Sequence, residues 1–287
     1  MPKLLTNLDL DLVRSFVAVA TGGSFTRAAD RLGRQQSTIS LQLRRLEDAL
    51  GQKLLERSPH VVRLTTAGEG FLESARRILD LNDEIVAAIQ EPDMQGLVRL
   101  GTPEDFATRH LPDGLSRFAQ AYPSVALEVT CDLTLNLLGR FKGGAFDLAL
   151  IKRERSVDAG GILVWREALV WVAGSRSYWR EDAPLPLVVS PSPCVYRKRA
   201  IDALGRARHS WRIAYTCGSL AGSIAAVKAG LGITVLPKDM VPPELHIISG
   251  KRFPNLKDTE IALLQAEPLS VPAQRLRDHV TRSLGTA

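Results

Sequence analysis

Cysteine is scarce in this 287-residue chain. Cys131, Cys194 and Cys217 are three in all, an odd number and too few for a disulfide framework, which fits a reducing compartment. Long apolar runs are missing too. None approaches the roughly 18 residues that a membrane helix needs. The opening "MPKLLTNLDLDLVRSFVAVATGG" carries acids where a secretory leader has an unbroken apolar core. These absences lead us to expect a cytoplasmic protein with no membrane partner. Catalytic signatures are also lacking. The five histidines, His60, His110, His209, His246 and His279, are scattered without metal-ligand spacing. There is no G-x-S-x-G, no phosphate-cradling glycine loop and no H-E-x-x-H, and "GLG" at 230–232 is too little for a dinucleotide fingerprint. Neither an enzyme, a metal nor a cofactor is expected.

What is present is a basic chain that is 45% apolar and 24% charged, with a net charge of +6. That apolar share can bury a sizeable core, and the length predicts two or three units. The excess charge is uneven. Arg27, Arg31, Arg34, Arg44, Arg45, Lys53, Arg57 and Arg63 face only Asp30, Glu47, Asp48 and Glu56 between positions 27 and 63. A local excess of this kind favours a polyanionic partner.

The same region carries a helical pattern. Leu12, Phe16 and Val19 have helical spacing before Gly22-Gly23, and Ser24 then caps a second helix. A third helix, from about Gln36 to Leu50, closes at Gly51 with Ile39, Leu43, Leu46 and Leu50 inward. Ser37, Ser40, Leu41 and Arg44 form its outward row, with Gln36 at the exposed start. Two helices joined by a turn, the second faced with hydrogen-bonding side chains, fit a helix-turn-helix that reads the major groove. "KLLERSPHVVRLT" then reads as a hairpin with His60 at its tip.

A long helix follows from Thr65 or Thr66 to about Gln90, with Thr66 and Glu69 matching a capping box. Phe71, Ala75, Ile78, Asn82, Ile85 and Ile89 alternate four and three apart, which predicts a coiled-coil seam between two copies of the chain. "QEPDMQG" breaks the helix. Beyond it, short apolar strands alternate with amphipathic helices, which predicts an α/β arrangement with largely parallel sheets.

From Leu8 to Thr65 the chain resembles the winged helix-turn-helix of LysR-type transcriptional regulators, on "FVAVATGGSFTRAADRL", "QSTIS", "RRLEDALGQKLLER" and "VRLTTAG". The likeness continues through "LPDGLSRFAQAYPSVALEV", "GGAFDLALI" and "VKAGLGITVLP". It implies a multidomain protein of mixed α+β and α/β class. A winged helix-turn-helix would occupy residues 1–65, a linker and dimerisation helix 66–90 and a hinge 91–96. A two-lobed α/β domain like the periplasmic binding proteins would fill 97–287, with lobe I at 97–162 and 265–287 and lobe II at 163–264. On the recognition helix the resemblance places DNA contacts at Gln36, Ser37, Thr38, Ser40 and Gln42, with Arg34, His60 and Arg63 against the flanking backbone or the minor groove. Leu41 stands where such sequences commonly have Arg, and would lie against thymine methyls rather than phosphate.

The expected function is a sequence-specific regulator, a homodimer or homotetramer on double-stranded DNA, modulated by a small-molecule effector and communicating with RNA polymerase. Effector contacts are expected from the loops that follow strands. These are Thr102, Glu104 and Asp105, then Thr134, then Lys152 and Arg153, and in the second lobe Ser192, Cys194, Thr216 and Ser219. Asp105 falls where the family often presents a Ser. The alternative is a redox-responsive regulator of the same fold that uses Cys131, Cys194 or Cys217.

Overall fold

The computed structural model describes residues 7–57, 62–90, 94–153, 160–175 and 183–284, except for the side chains of residues 57, 84, 87 and 88. The chain forms two compact units that divide after Pro92.

The first unit begins with α1 (Leu10–Gly22), α2 (Phe25–Leu32) and α3 (Gln36–Leu50). Asp9 and Ser24 cap the first two by accepting the amides of Asp11 and Arg27. Each of the three helices stops at a glycine in the left-handed region, Gly23, Gly33 and Gly51, a conformation that costs other residues a clash with their own Cβ. Val13, Phe16, Val19, Ile39, Leu43 and Leu46 are fully buried in one core. The strands β1 (Leu55–Arg57) and β2 (Val62–Leu64) pair antiparallel, Leu55 opposite Leu64. The tip of this hairpin, and His60 with it, lies outside the described residues. Glu47 fastens α3 to β1. Its buried carboxylate accepts the amides of Leu54 at 3.0 Å and Leu55 at 3.3 Å and an ammonium bond from Lys53 at 2.9 Å. Burial would push that carboxyl up, but these three donors hold it below its ordinary value.

The long helix α4 (Thr66–Gln90) is capped by Thr65 rather than Thr66. Thr65 Oγ1 accepts the Gly68 amide at 3.0 Å and donates to the Lys53 carbonyl at 2.7 Å. The helix leans on α1 through the Phe16 and Phe71 rings, 5.3 Å between centroids, and a two-bond ion pair between Arg14 and Asp83.

The second unit has two lobes. Lobe I contains β3 (Gly96–Thr102), α5 (Glu104–Arg109), α6 (Pro112–Ala121), β4 (Val125–Cys131), α7 (Thr134–Lys142), β5 (Leu148–Arg153) and β6 (Ile162–Glu167). The chain then enters lobe II, with β7 (Leu169–Gly174), β8 (Leu185–Val189), α8 (Val195–Arg206), β9 (Trp211–Thr216), α9 (Leu220–Lys228), β10 (Thr234–Pro237) and β11 (Leu245–Ile248). It returns through β12 (Thr259–Gln265) and ends in α10 (Val271–Leu284).

Two sequence expectations are corrected here. The lobe I sheet runs β4-β3-β5-β12-β6. Both β6 and β12 therefore belong to lobe I, which moves the crossings to Ala168 and to the residues just before Thr259. Continuous pairing of β12 with β5 on one side and β6 on the other is what keeps them there. The sheets are also mixed rather than largely parallel, because β12 runs antiparallel to both neighbours and β7 is antiparallel to β10 and β11.

One glycine in the first unit is sterically required. A Cβ at Gly68 would fall on the Leu54 carbonyl oxygen, whereas one at Gly70 meets nothing within 4 Å. Gly68→Ala should therefore destabilise the first unit by about 3 kcal/mol, the upper end of overpacking costs. Gly70→Ala should stabilise it by about 0.5–1 kcal/mol. Hydrogen exchange of the α1 amides in the intact chain reads both, and equal effects would contradict the close approach.

Candidate functional site

The outer face of α3 is built by subtraction. Its apolar row is consumed by the core, so what remains outside is Gln36, Ser37, Leu41 and Arg44, with Thr38 and Ser40 half-buried beside them and Arg45, Asp48 and Ala49 exposed toward the end of the helix. Leu41 is 50% exposed on this face. Gln35 makes no side-chain cap, so the first amides of α3 also face outward without a side-chain partner. Arg34 is exposed and pairs with Asp11 at 2.9 Å. Arg63 is exposed on β2. Gln42 is the correction. It is only 9% exposed and its Oε1 accepts the Ser15 hydroxyl at 2.7 Å. Position 42 lies three residues from Ile39 and four from Leu46, so it shares their inward face.

The seam of α4 divides in the same way. Phe71 and Ala75 are spent on the first unit's own core, so they are withdrawn from the expected dimer contact. Asn82 bonds to Asp83 at 3.0 Å. The rest of the row, Ile78, Ile85 and Ile89, is exposed, with Leu81 and Val86 beside it; Ile89 reaches 75%.

In the second unit a cavity of about 420 Å³ opens between the lobes. Lobe I contributes Glu104, Asp105, Cys131, Asp132, Thr134 and Lys152, and lobe II contributes Ser190, Cys194, Tyr196, Arg197 and Ser223 with an apolar wall around Trp171, Val189 and Val235. Of the expected effector residues, Glu104, Asp105, Thr134, Lys152 and Cys194 line it. The others do not. Thr102 is fully buried beneath Pro103. Arg153 turns away to Glu260 at 3.3 Å and the Gly160 carbonyl at 2.6 Å. Ser192 and Thr216 are exposed outside the cavity, and Ser219 is occupied as the cap of α9. Thr102, Arg153 and Thr216 are the last residues of β3, β5 and β9, and successive side chains on a strand point to opposite faces, so Lys152 enters the cleft and Arg153 does not.

Sequence reasoning missed Tyr196, Arg197, Ser223, Asp132 and Glu167. The first two sit on α8, "VYRKRAIDALGR", whose inward apolar row of Ala200, Ala203 and Leu204 is short and set among basic residues.

Four of these groups form a polar junction across the lobes. The Lys152 ammonium bonds to Asp105 and stands 3.8 Å from the centre of the Tyr196 ring. The Tyr196 hydroxyl donates to Glu167 Oε2 at 2.6 Å and also lies in bonding reach of Asp105. One phenol proton cannot serve two carboxylates. Burial would raise the Asp105 carboxyl, but Lys152, Tyr196 and the Phe106 amide hold it low. Glu167, 1% exposed, is pushed up to about 7, chiefly by burial, with Lys152 opposing and Asp105 adding to the rise. Burial and the two carboxylates push the Tyr196 phenol well above its ordinary value. With its pKa near 7, Glu167 keeps a proton below neutral pH, and its Oε1 has no hydrogen-bond partner among the described residues. A second contact between the lobes joins His110 to Asp239 at 3.2 Å, with burial lowering the imidazole pKa.

The cysteines are free. Cys131 is exposed and Cys194 and Cys217 are half-buried. Partial burial and Glu104 push the Cys131 thiol up, which suppresses the thiolate that a peroxide sensor needs.

Comparison with known proteins places this geometry. The family description "Bacterial regulatory helix-turn-helix protein, lysR family" matches residues 10–69, and "LysR substrate binding domain" matches residues 92–285. The HTH-type transcriptional regulator DgdR of Burkholderia cepacia is 38% identical over 258 residues, 90% of this chain and 87% of the relative. PecT of Dickeya dadantii is 35% identical over 258 residues, 90% and 81% of the two chains. In fold, DarR of Vibrio fischeri, solved in complex with DNA, matches with a TM-score of 0.52 at 17% identity, covering 96% of this chain and 99% of that one.

The junction has a pH signature. The folded state binds the Glu167 proton up to about pH 7, whereas an unfolded carboxyl loses it near 4.5. The group's stabilisation is therefore complete below 4.5 and is lost as pH rises through about 7. At roughly 1.4 kcal/mol per pH unit the loss approaches about 3 kcal/mol. His279, lowered to about 4 by burial, acts in the opposite direction between 4 and 6.5. The difference between the native chain and Glu167→Gln isolates the carboxyl. Chemical denaturation across pH 4.5–8 should show that difference changing in this sense, and parallel pH profiles would refute it.

Proposed function

This chain belongs to the LysR family of transcriptional regulators, and on that premise we propose how its two units divide the work. The outer face of α3 enters the major groove, with Gln36 and Ser37 at base edges, Leu41 against thymine methyls, and Arg34 and Arg63 toward phosphates. The observation that carries this is the polar row left exposed on a helix whose opposite face is fully buried. The uncapped amides at the start of α3 suit a phosphate oxygen. Gln42 acts from inside, by holding α3 against α1 through Ser15.

The cavity between the lobes is the effector site. Its walls come from both lobes, so an occupant contacts both at once and biases their separation. The exposed stripe of Ile78, Leu81, Ile85 and Ile89 on α4 pairs with a second copy, which sets two recognition helices on one DNA about a helical turn apart. Effector occupancy then changes the placement of the dimers on DNA and their contact with RNA polymerase. The work is done in the cytoplasm, without catalysis. A redox mechanism is the weaker reading, since Cys131, the exposed thiol, is held in its protonated form.

Gln36→Ala should weaken binding to the native operator by about 1–3 kcal/mol and relax one base position. Gln42→Ala should act through the stability of the first unit, with its base preference retained. Titrations against a panel of singly substituted operators separate the two, and unchanged affinity for Gln36→Ala would refute the orientation of α3. Ile85→Asp should convert the dimer to monomer in sedimentation, while Ala75→Gly should lower stability and leave the dimer intact. A monomeric native chain would contradict the role of the stripe.

A further inference from the structure

The ionic side chains lining the cavity do not cancel evenly. Lys152 and Asp105 are spent on each other. Arg197, Glu104 and Asp132 remain, on opposite walls.

Arg197 projects from the first turn of α8, and its hydrogen bond goes to a backbone carbonyl, that of Ser190 at 3.2 Å. No carboxylate pairs with it among the described residues. The N-terminus of α8, a 12-residue helix, has no side-chain cap and also borders the cavity. Ser223, on α9, also lines the cavity; it is 6% exposed and its Oγ has no partner among the described residues. A buried hydroxyl left unsatisfied costs about 1–3 kcal/mol, so a ligand group that reaches it gains that bond. Guanidinium, free amides and a hydroxyl together suit a carboxylate.

The lobe I wall is the reverse. Glu104 already reaches lobe II, where it accepts one amide from Leu220 at the start of α9 at 3.4 Å, and Asp132 accepts the Leu133 amide and the Asn136 side chain. Neither has a basic partner among the described residues. A simple carboxylate bound at Arg197 would add negative charge to a cleft that already has this acidic wall. A simple amine would leave Arg197 unpaired. Lobe II also lends the lining Val189, Val235 and Trp171, which suit an apolar body.

We propose that the ligand of this cleft is a small zwitterion of the α-amino-acid type, its carboxylate on the Arg197 wall, its ammonium on the Glu104 wall and its side chain apolar. This rests on the reading of the cleft as the effector site. Such a ligand bridges the lobes by ion pairing, so it draws them together.

The test uses the full-length protein, with calorimetry and thermal shift. The probes are the common α-amino acids and, for leucine, 4-methylpentanoate and 3-methylbutylamine, which lack one charge each; the same pair of analogues is made for any better binder. At least one amino acid should bind, and each of its two analogues should bind at least about tenfold more weakly. Arg197→Gln should weaken the amino acid at least about tenfold. Glu104→Gln should erase the preference for the amino acid over its carboxylate analogue, and the melting temperature of each unliganded variant controls for folding. If the carboxylate analogue binds as tightly as the amino acid and Arg197→Gln abolishes both, the zwitterion is wrong and the cleft remains the effector site. Amino-acid binding untouched by both variants would place the ligand elsewhere and overturn both readings. No binding by any amino acid overturns the zwitterion.

Discussion

The buried pair of Asp105 and Lys152 is the constraint around which the effector unit is arranged. Removing two charges from water is expensive and is compensated only when partners are close and remaining donors and acceptors are satisfied. Here the compensation is shared between lobes. Asp105 lies in the first turn of α5 and Lys152 near the end of β5, both in lobe I, while the phenol that completes the cluster comes from α8 in lobe II. With one ammonium already paired with Asp105, burial pushes the Glu167 carboxyl up to about 7. The raised Glu167 carboxyl, the bond to Tyr196 and the register between lobes are thus consequences of one electrostatic balance.

The same balance defines the adjoining cavity. Because Lys152 is spent, its positive charge does not dominate the cleft. The charges that remain, at Arg197, Glu104 and Asp132, sit near the mouths of loops and helix starts, where backbone amides are also available. The two lobes are joined by two crossings of the chain, at Ala168 and just before Thr259.

In the first unit the division between stability and recognition runs along single helices. On α3, Ile39, Leu43 and Leu46 hold the fold and Gln36, Ser37 and Leu41 face out. On α4, Phe71 and Ala75 hold the fold and Ile78, Ile85 and Ile89 face out. Gln42 and Glu47 show that polar side chains can be on the fold's side of this line. Each is buried because a specific partner waits there, a serine hydroxyl for one and two backbone amides for the other.

The chain's own pattern determined the three opening helices, their glycine stops, the hairpin, the long helix, most of the α/β strands and the polar face of α3, because each depends on neighbours within a few turns. It also placed five cavity residues, Glu104, Asp105, Thr134, Lys152 and Cys194. It missed α8, whose inward apolar row is short and set among basic residues, and it assigned β6 and β12 to the wrong lobe, because strand partners lie about a hundred residues apart. Tertiary structure alone decided that Gln42 faces Ser15, that Arg153 turns to Glu260 and that Thr102 lies beneath the cleft floor. It alone brought Tyr196, Glu167, Asp105 and Lys152 together. Whether a polar side chain binds its own protein or an outside partner is settled by which distant group is within about 3 Å, and local sequence carries no record of that distance.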